Sequence, residues 1–366
     1  MPALDRLRRA ASFLALLASL SAAADSIQPL PALNIDIAQT SVSGISSGGF
    51  MAVQFQVAHS AIVKGAGVVA AGPYYCSQDD ALTAMTRCSC TGGMLYLGCA
   101  VTASSADVPA LLKATRRFAA AGLIDDPANV AHQRLITFAG GKDGTVPAPV
   151  VGQLANYFTA LGLASANLSA NTLADAGHTM PTASFGNPCP VTDEPYIGNC
   201  RYDAAGKLLA WIYGPLTAPD KATAKGRLIR FDQTPYIPAQ TGFASVSALD
   251  SSGWLYVPPA CAKGQRCRLH IALHGCKQGQ SYTLLRPPAD SDGSYGTTFV
   301  EHAGYNAWAD ANDLVILYPQ AVSIFGINSF GCWDWWGYTG EHYADKQGVQ
   351  IRALRAMVDR LTSKFH

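Results

Sequence analysis

The sequence contains little charge and no run of like charges. Only 14% of its 366 residues are charged, and 26 Lys and Arg nearly balance 25 Asp and Glu. Because a nucleic-acid-binding surface needs clustered basic residues to neutralise phosphates, nucleic acid is not expected as a partner. Internal repeats and low-complexity tracts are also lacking, whereas 49% of the residues are hydrophobic. The composition indicates a folded globular protein with a large core.

The sequence also lacks an apolar run long enough to span a membrane. The run at residues 10–20 has about half of the ~20 residues that a membrane-spanning helix needs. It follows a stretch with three arginines at residues 6–9 and ends near three alanines at residues 22–24, which is the three-part pattern of a secretory signal peptide. The alternative, a membrane anchor, is disfavoured by the length of the run. We expect residues 1–24 to be removed and the mature protein to be secreted or periplasmic.

No pair of cysteines has the Cys-x-x-Cys spacing of a structural zinc site. Cys88 and Cys90 come closest, but one intervening residue is too few. All ten cysteines follow the signal segment, and an even set in an exported protein indicates disulfides. Short loops and the residues left over predict the pairs Cys189 with Cys200, Cys261 with Cys267, Cys276 with Cys332, and two pairs among Cys76, Cys88, Cys90 and Cys99.

Short apolar segments alternate with longer helix-like stretches along the chain. Such alternation favours an α/β fold with a mostly parallel sheet and helices on both faces. No linker divides residues 25–366, so we expect one catalytic domain, and the best helical pattern, Ala344–Phe365, ends it. The strand-like segments lie at residues 67–71, 134–139, 268–273 and 314–318.

The pattern Gly-x-Ser-x-Gly occurs at Gly44, Ser46 and Gly48. It follows a β-branched, strand-like run and precedes a helix-like segment at residues 50–60. This is the context of a nucleophile elbow, in which the serine lies on a strained strand-to-helix turn that only small neighbours permit. The context therefore predicts that Ser46 is a nucleophile.

An elbow serine needs a histidine base and an acid, which follow it in that fold class in the order Ser, Asp, His. Asp143 comes after the strand-like residues 134–139, at the sheet edge where α/β proteins build their sites. His178 lies on a glycine-flanked loop after another apolar segment, a context that the other histidines lack. We predict these two as acid and base. The alternative for Asp143 is an ordinary Asp-Gly turn residue, and Asp175 is the rival acid.

The strand-like residues 268–273 end in His274-Gly275-Cys276. A strand followed by His-Gly resembles the oxyanion loop of lipases and esterases, where one backbone N–H joins the N–H that follows the nucleophile. The predicted donors are therefore the amides of Cys276 and Ser47, although a plain strand-to-loop turn would look the same.

The oxyanion loop comes late in this sequence. In ordinary α/β-hydrolases it precedes the elbow, so the order here is circularly permuted. Residues from about 225 to 366 would then supply the early strands, the oxyanion loop and the helix that normally leads into the nucleophile strand. This permutation requires the two ends of the mature chain to lie close together.

Taken together, these motifs resemble polyhydroxybutyrate (PHB) depolymerases, in the variant whose serine precedes the oxyanion loop. The resemblance covers nearly all of residues 30–366. It implies the triad Ser46, Asp143 and His178, the oxyanion donors Ser47 and Cys276, an aromatic substrate contact at Trp333, and no metal or organic cofactor. It rests on Ser43-Gly-Ile-Ser-Ser-Gly-Gly-Phe-Met-Ala, Gly140-Gly-Lys-Asp-Gly, Ala176-Gly-His, Leu273-His-Gly-Cys and Cys332-Trp-Asp-Trp-Trp-Gly.

Other aromatic residues are candidates for the same substrate contact. Trp333 and Trp335 follow Cys332, which would tether them to the oxyanion loop, and indole faces suit a methyl-branched polyester. Tyr74 and Tyr75 follow the strand beside the elbow strand and are expected to line the same cleft. The alternative for any of them is burial in the core.

The expected activity is that of a monomeric serine esterase acting on a polyester or hydroxybutyrate oligomers. Extracellular members of the family carry a linker and a polymer-adsorbing domain, which we do not find here, so amorphous polymer or oligomers are the expected substrates. The nearest rival is a feruloyl or acetyl esterase acting on plant cell-wall esters. A secreted binding protein that has lost catalysis is the rival from another class.

Overall fold

The protein is described by a computed structural model that covers residues 26–95, 97–220, 225–239, 246–287, 289 and 291–363. The predicted signal segment lies outside these residues. The strands are β1 (Ile35–Ile45), β2 (Val63–Val69), β3 (Arg134–Gly140), β4 (Leu168–Leu173), β5 (Met180–Thr182), β6 (Asn187–Pro188), β7 (Ile197–Asn199), β8 (Arg227–Asp232), β9 (Ser252–Val257), β10 (Cys267–Leu273) and β11 (Leu314–Tyr318). The α-helices are α1 (Ser47–Ala58), α2 (Ala81–Thr86), α3 (Val108–Ala120), α4 (Ala148–Leu161), α5 (Ala204–Tyr213), α6 (Pro259–Ala262), α7 (Thr298–His302), α8 (Tyr305–Ala311) and α9 (Val349–Leu361).

The main sheet has eight strands in the order β4-β3-β2-β1-β10-β11-β9-β8. The six strands from β4 to β11 are parallel, whereas β9 and β8 pair antiparallel at one edge. A small second sheet, β5-β7-β6, lies between β4 and α5 in the chain. The fold is therefore the mostly parallel α/β sheet that the alternating pattern predicts.

Side chains of β1 show that helices cover both faces of the sheet. Ser41 and Ser43 point to one face, where their hydroxyls contact Tyr213 at the end of α5 and Tyr305 of α8. Successive residues of a strand point to opposite faces, and on the other face a Cβ on Gly44 would lie 2.2 Å from the carbonyl oxygen of Gly48 in α1. The central strand is thus buried between α1 and the pair α5 and α8.

The described ends of the chain meet beside β1, as the permuted order requires. The Leu33 N–H donates to the Leu361 carbonyl at 2.9 Å, and Arg360 Nε donates to the Leu30 carbonyl at 2.8 Å. Helix α9 therefore packs where a continuous chain would lead into the nucleophile strand. The permutation places β10 of the late half directly beside β1 of the early half.

Two helices differ from the sequence prediction at both ends. Helix α1 ends at Ala58 rather than Ser60, and helix α9 ends at Leu361, while the predicted end at Phe365 lies outside the described residues. Helix α9 begins at Val349 rather than Ala344, because His342 and Asp345 form a turn in which the carboxylate accepts from His342 Nδ1 and from the Gln347 N–H. Helix α1 begins at Ser47 rather than Phe50, directly after the elbow turn.

Five disulfides link the cysteines of the described residues. They include the two pairs predicted from short loops and the pair Cys276 with Cys332, which was predicted because these two cysteines were left over. The order that the sequence left open is Cys76 with Cys88 and Cys90 with Cys99. None of the helices in the described part of the chain combines the length and the apolar character needed to cross a bilayer.

Candidate active site

Ser46 lies in the tight turn between β1 and α1. Its backbone has φ 55° and ψ −124°, a left-handed conformation that is unfavourable for a residue with a side chain. The Ser46 N–H donates to the Val69 carbonyl at 2.9 Å and its carbonyl accepts from the Phe50 N–H, so the turn is held at both ends. A Cβ on Gly48 would lie 2.3 Å from the His274 carbonyl oxygen. The glycine pattern therefore reflects close backbone packing around a strained serine.

His178 and Asp143 form a buried pair at the ends of neighbouring loops. His178 Nδ1 lies 2.8 Å from Asp143 Oδ2, and the Asp143 side chain is fully buried. The other carboxylate oxygen, Oδ1, accepts from the N–H groups of Thr145 and Val146 at 2.8 Å each. This pairing holds the imidazole with the proton on Nδ1, which leaves Nε2 as the basic nitrogen.

The rival acid, Asp175, occupies a different environment. It forms an ion pair with Lys142 at 3.0 Å, and its side chain is 79% exposed. A solvated carboxylate engaged with a lysine cannot orient a buried imidazole. The structure thus pairs His178 with Asp143 and leaves Asp175 at the surface.

The loop that carries His178 is fixed by the small sheet region. The His178 N–H donates to Thr192 Oγ1 at 2.8 Å, and the Gly177 N–H donates to the Cys189 carbonyl at 2.9 Å. Cys189 is in turn bonded to Cys200. These contacts fix the base through covalent and hydrogen-bonded links rather than through the main sheet.

The predicted oxyanion loop lies against the elbow. A Cβ on Gly275 would lie 3.3 Å from Ser46 Cβ, and the Gly275 N–H donates to Gln278 Oε1 at 2.8 Å. The Cys276 disulfide to Cys332 ties this loop to the tryptophan-rich segment. Ser47 is the first residue of α1, where helix N–H groups have no intrahelical acceptor. The fold therefore brings the loop of Cys276 and the first residue of α1 next to Ser46.

A cavity of about 500 Å³ contains Ser46, His178 and Cys276 in its wall. Much of the remaining wall is aromatic or apolar. Phe50 and Trp335 stack there with ring centroids 4.1 Å apart and planes within 9°. The aromatic wall residues are Phe50, Tyr196, Phe330, Trp335 and Trp336.

Three of the four predicted aromatic contacts are not on this wall, which corrects the sequence interpretation. Trp333 is 0% exposed and packs in the core. Its backbone N–H donates to Ser47 Oγ at 3.3 Å, and its indole Nε1 has no hydrogen-bond partner among the residues that the structure describes. Tyr74 is also fully buried, and its hydroxyl donates to the Ala344 carbonyl. Tyr75 packs on Phe118 and Tyr343 instead. Of the predicted set, Trp335 alone lines the cavity.

Asp334 explains why the tryptophans diverge. It is fully buried, and one carboxylate oxygen accepts from the N–H groups of Trp336, Gly337 and Tyr338. The other oxygen accepts from the Thr339 N–H and hydroxyl at 2.8 and 2.6 Å. Burial raises the pKa of Asp334 while these hydrogen bonds oppose the rise. The carboxylate thus folds the loop that turns Trp335 and Trp336 toward the cavity.

Several wall residues were missed from the sequence. Trp336 lies in the same motif as Trp335 and could have been included, because the motif places three indoles within four residues. Phe50 directly follows the elbow motif, which was the available signal. Tyr196 and Phe330 come from distant loops, and nothing local in their sequence marks them. In the part of the chain that the structure describes, no group of three His, Cys, Asp or Glu side chains could hold a metal ion.

Comparison with known proteins yields two curated relatives. A poly(3-hydroxybutyrate) depolymerase of Delftia acidovorans is 41% identical over 340 residues, which is 91% of this chain and 62% of the relative. A polyhydroxybutyrate depolymerase of Talaromyces funiculosus is 36% identical over 96% of this chain and 98% of its own. The chain therefore spans less than two thirds of the first relative and nearly all of the second. No family model matches the sequence.

Two solved structures share the fold. A PHB depolymerase complexed with an R3HB trimer matches with a TM-score of 0.76 at 35% identity. The PHB depolymerase from Penicillium funiculosum matches with a TM-score of 0.75 at 34% identity. Each match covers 93% of this chain and 100% of the solved chain. This chain is 36% identical to the Talaromyces funiculosus relative, which it matches over 98% of that protein's length. It therefore belongs to the polyhydroxybutyrate depolymerase family.

Proposed function

We propose that this protein is a serine esterase that hydrolyses the ester bonds of PHB, as amorphous polymer or as 3-hydroxybutyrate oligomers. The observation that supports it most is the 2.8 Å pair of His178 and Asp143 in contact with a cavity that also contains Ser46. The names of the relatives give the substrate class, and the solved complex with an R3HB trimer gives the kind of ligand.

In the first half-reaction, His178 Nε2 takes the proton of Ser46 as the serine oxygen attacks the ester carbonyl. Asp143 stabilises the imidazolium that forms and keeps its orientation. The carbonyl oxygen becomes an oxyanion, which the amides of Ser47 and Cys276 stabilise. His178 then gives the proton to the leaving alcohol, and an acyl-enzyme remains.

In the second half-reaction, water takes the place of the alcohol. His178 removes a proton from the water as it attacks the acyl carbonyl, and the same two amides stabilise the second oxyanion. Collapse of this intermediate returns the proton to Ser46 and releases a carboxylic acid. Each cycle therefore converts one ester into one hydroxyl and one carboxylate.

The cavity wall fits a chain that alternates esters with methyl-branched carbons. Phe50, Trp335 and Trp336 offer flat apolar surfaces, while Thr91 and Thr145 offer hydroxyls. A polyester chain has no charged group along its length, so a wall whose side chains are mostly uncharged suits it.

We propose further that the protein acts as a monomer outside the cytoplasm. Five disulfides in the described residues support an oxidising compartment, either the periplasm or the exterior of the cell.

The test is the turbidity of an amorphous PHB suspension incubated with residues 25–366 or with the same protein carrying Ser46→Ala. Clearing by the first protein alone is the expected result. The proposal is contradicted if the unsubstituted protein neither clears the suspension nor releases 3-hydroxybutyrate from oligomers. Release of ferulate or acetate from cell-wall esters, still dependent on Ser46, would then indicate the rival esterase function.

A further inference from the structure

One permanently charged residue lies in the wall of the cavity. Among the described residues, the wall contains no Asp, Glu or Arg, and its single lysine is Lys277. Lys277 is half-buried and directly follows the predicted oxyanion donor Cys276. A polyester chain offers no partner for an ammonium group along its length, so the charge needs an explanation.

The backbone places Lys277 firmly at this position. Its N–H donates to the Phe330 carbonyl at 2.7 Å, and its φ of 63° turns the chain sharply after Cys276. Lys277 Nζ donates to the Tyr196 hydroxyl at 3.2 Å and lies 4.9 Å from the centre of the Phe330 ring. The ammonium group is thus held between two aromatic side chains of the cavity wall.

Among the described residues, no carboxylate neutralises this charge. Within the described part of the chain, no carboxylate oxygen lies within 4.0 Å of Lys277 Nζ. Glu194, on the loop that carries Tyr196, accepts instead from the Leu285 N–H. Tyr196 takes one of the three N–H bonds of the ammonium, so two remain for a ligand. A partly desolvated cation that no described carboxylate pairs with makes the cavity attractive to anions.

We propose that Lys277 binds the free carboxylate of hydroxybutyrate chains, so that the enzyme prefers carboxyl-terminal ends and short oligomers. This inference rests on the proposed function. In a polyester of a hydroxy acid, the fragment that leaves as the alcohol ends in the chain's carboxylate, which is the one anion the substrate carries. The acids that accumulate during hydrolysis compete for the same lysine and therefore inhibit the enzyme.

The experiment compares two ligands that differ only in this charge. A 3-hydroxybutyrate trimer with a free carboxylate and its methyl ester are titrated by calorimetry into the Ser46→Ala protein at low ionic strength. We expect the acid to bind about fivefold more tightly, the size of a partly solvated ion pair. In the Ser46→Ala, Lys277→Met protein the two ligands are expected to bind equally, whereas Lys277→Arg is expected to keep the preference.

A matched control is Lys263→Met in the Ser46→Ala protein. Lys263 is exposed and lies just before β10 begins, at the opposite end of the strand from the cavity. This variant loses the same charge and is expected to keep the acid preference. Thermal unfolding of every variant verifies that each is folded.

The outcomes separate this inference from the proposed function. Equal binding of acid and ester to the Ser46→Ala protein, or an acid preference that survives Lys277→Met, overturns the role of Lys277. If the wild-type protein still hydrolyses both trimers in that case, the proposed function stands. If neither trimer binds and neither is hydrolysed, both are overturned.

Discussion

His178 and His270 both contact oxygen atoms of other side chains at hydrogen-bond distance, in very different surroundings. His178 meets the Asp143 carboxylate at 2.8 Å and borders the cavity. His270 lies inside the main sheet, with Ser41 Oγ 2.6 Å from Nδ1 and Ser43 Oγ 2.7 Å from Nε2. His270 therefore has two serine partners, although His178 is the histidine that we assign to catalysis.

The difference lies in access and in the nature of the partner. His270 is 0% exposed, and both serines also contact tyrosine hydroxyls, Tyr213 and Tyr305. Burial lowers its pKa to about 3, so it stays neutral and can neither take nor release a proton near neutral pH. A serine beside a histidine is thus not a catalytic pair unless a carboxylate supports the imidazolium and a substrate can reach it.

The largest expected effect is the loss of activity when His178, but not His270, is replaced. His178→Ala is expected to lower kcat by roughly 10⁴ to 10⁶, because the serine loses its base. His270→Leu is expected to keep kcat and to lower the free energy of unfolding by about 2–4 kcal/mol, because two buried hydrogen bonds are lost. Hydrolysis of a soluble ester and urea unfolding of both variants measure this contrast. A large loss of kcat in folded His270→Leu would break the comparison.

The second effect concerns the carboxylate that distinguishes His178. Asp143→Asn is expected to lower kcat by about 10⁴, since the amide favours the wrong imidazole tautomer. Asp175→Asn is the matched control and should change kcat little, because Asp175 is exposed and pairs with Lys142. The kcat values of the two variants, measured by steady-state kinetics, show which aspartate supports His178. An equal loss in both would reassign the acid.

The third effect is the pH dependence of stability that His270 causes. Its pKa is about 3 in the folded protein against an ordinary value of 6.5, so between these values the unfolded chain binds more protons. Stability is therefore fully present above about pH 6.5 and is lost as the pH falls, with a slope of up to about 1.4 kcal/mol per pH unit.

Urea unfolding between pH 7 and 4 measures this slope. His270→Leu should show a shallower decline than the wild-type protein. Some decline will remain, because burial also lowers the pKa of His59 and His274 to about 4 each. Identical slopes in the two proteins would show that His270 does not titrate in this way.

The smallest effect compares two serines of the same strand and turn. Ser43→Ala is expected to lower the free energy of unfolding by about 1 kcal/mol, since it removes one hydroxyl from the network of His270 and Tyr305. Activity should be retained. Ser46→Ala should do the reverse, removing activity with little change in stability. Ester hydrolysis and urea unfolding of both variants measure this contrast. Loss of activity in Ser43→Ala as well as in Ser46→Ala would contradict the comparison.

Some of the site follows from local sequence because the chemistry is local. Gly44 is needed where the backbone of β1 passes that of α1, and Gly48 is needed where α1 passes the end of β10. The strained turn between them places Ser46. Asp143, His178 and Cys276 each follow a segment that ends at the same edge of the sheet, so their convergence could be expected once the strands were recognised. The structure brings Ser46, His178 and Cys276 to the wall of one cavity, and Asp143 is buried next to His178.

The aromatic contacts show where local reasoning stops. Trp333, Trp335 and Trp336 are nearly adjacent in sequence, yet the first packs in the core and the other two line the cavity. Their directions depend on Asp334, whose hydrogen bonds set the turn of the loop. The same holds for Tyr74, whose hydroxyl is taken by the distant Ala344 carbonyl.

By itself the sequence determined the alternation of strands and helices, the Gly-x-Ser-x-Gly turn, the permuted order and the disulfides with short loops, because each depends on neighbouring residues and on the period of the chain. Only the tertiary structure showed that His178 pairs with Asp143 rather than with Asp175. It also placed Trp333 in the core and Lys277 beside Tyr196 and Phe330. These outcomes depend on which distant segments pack together. The free energy of that packing is not encoded in any short stretch of residues.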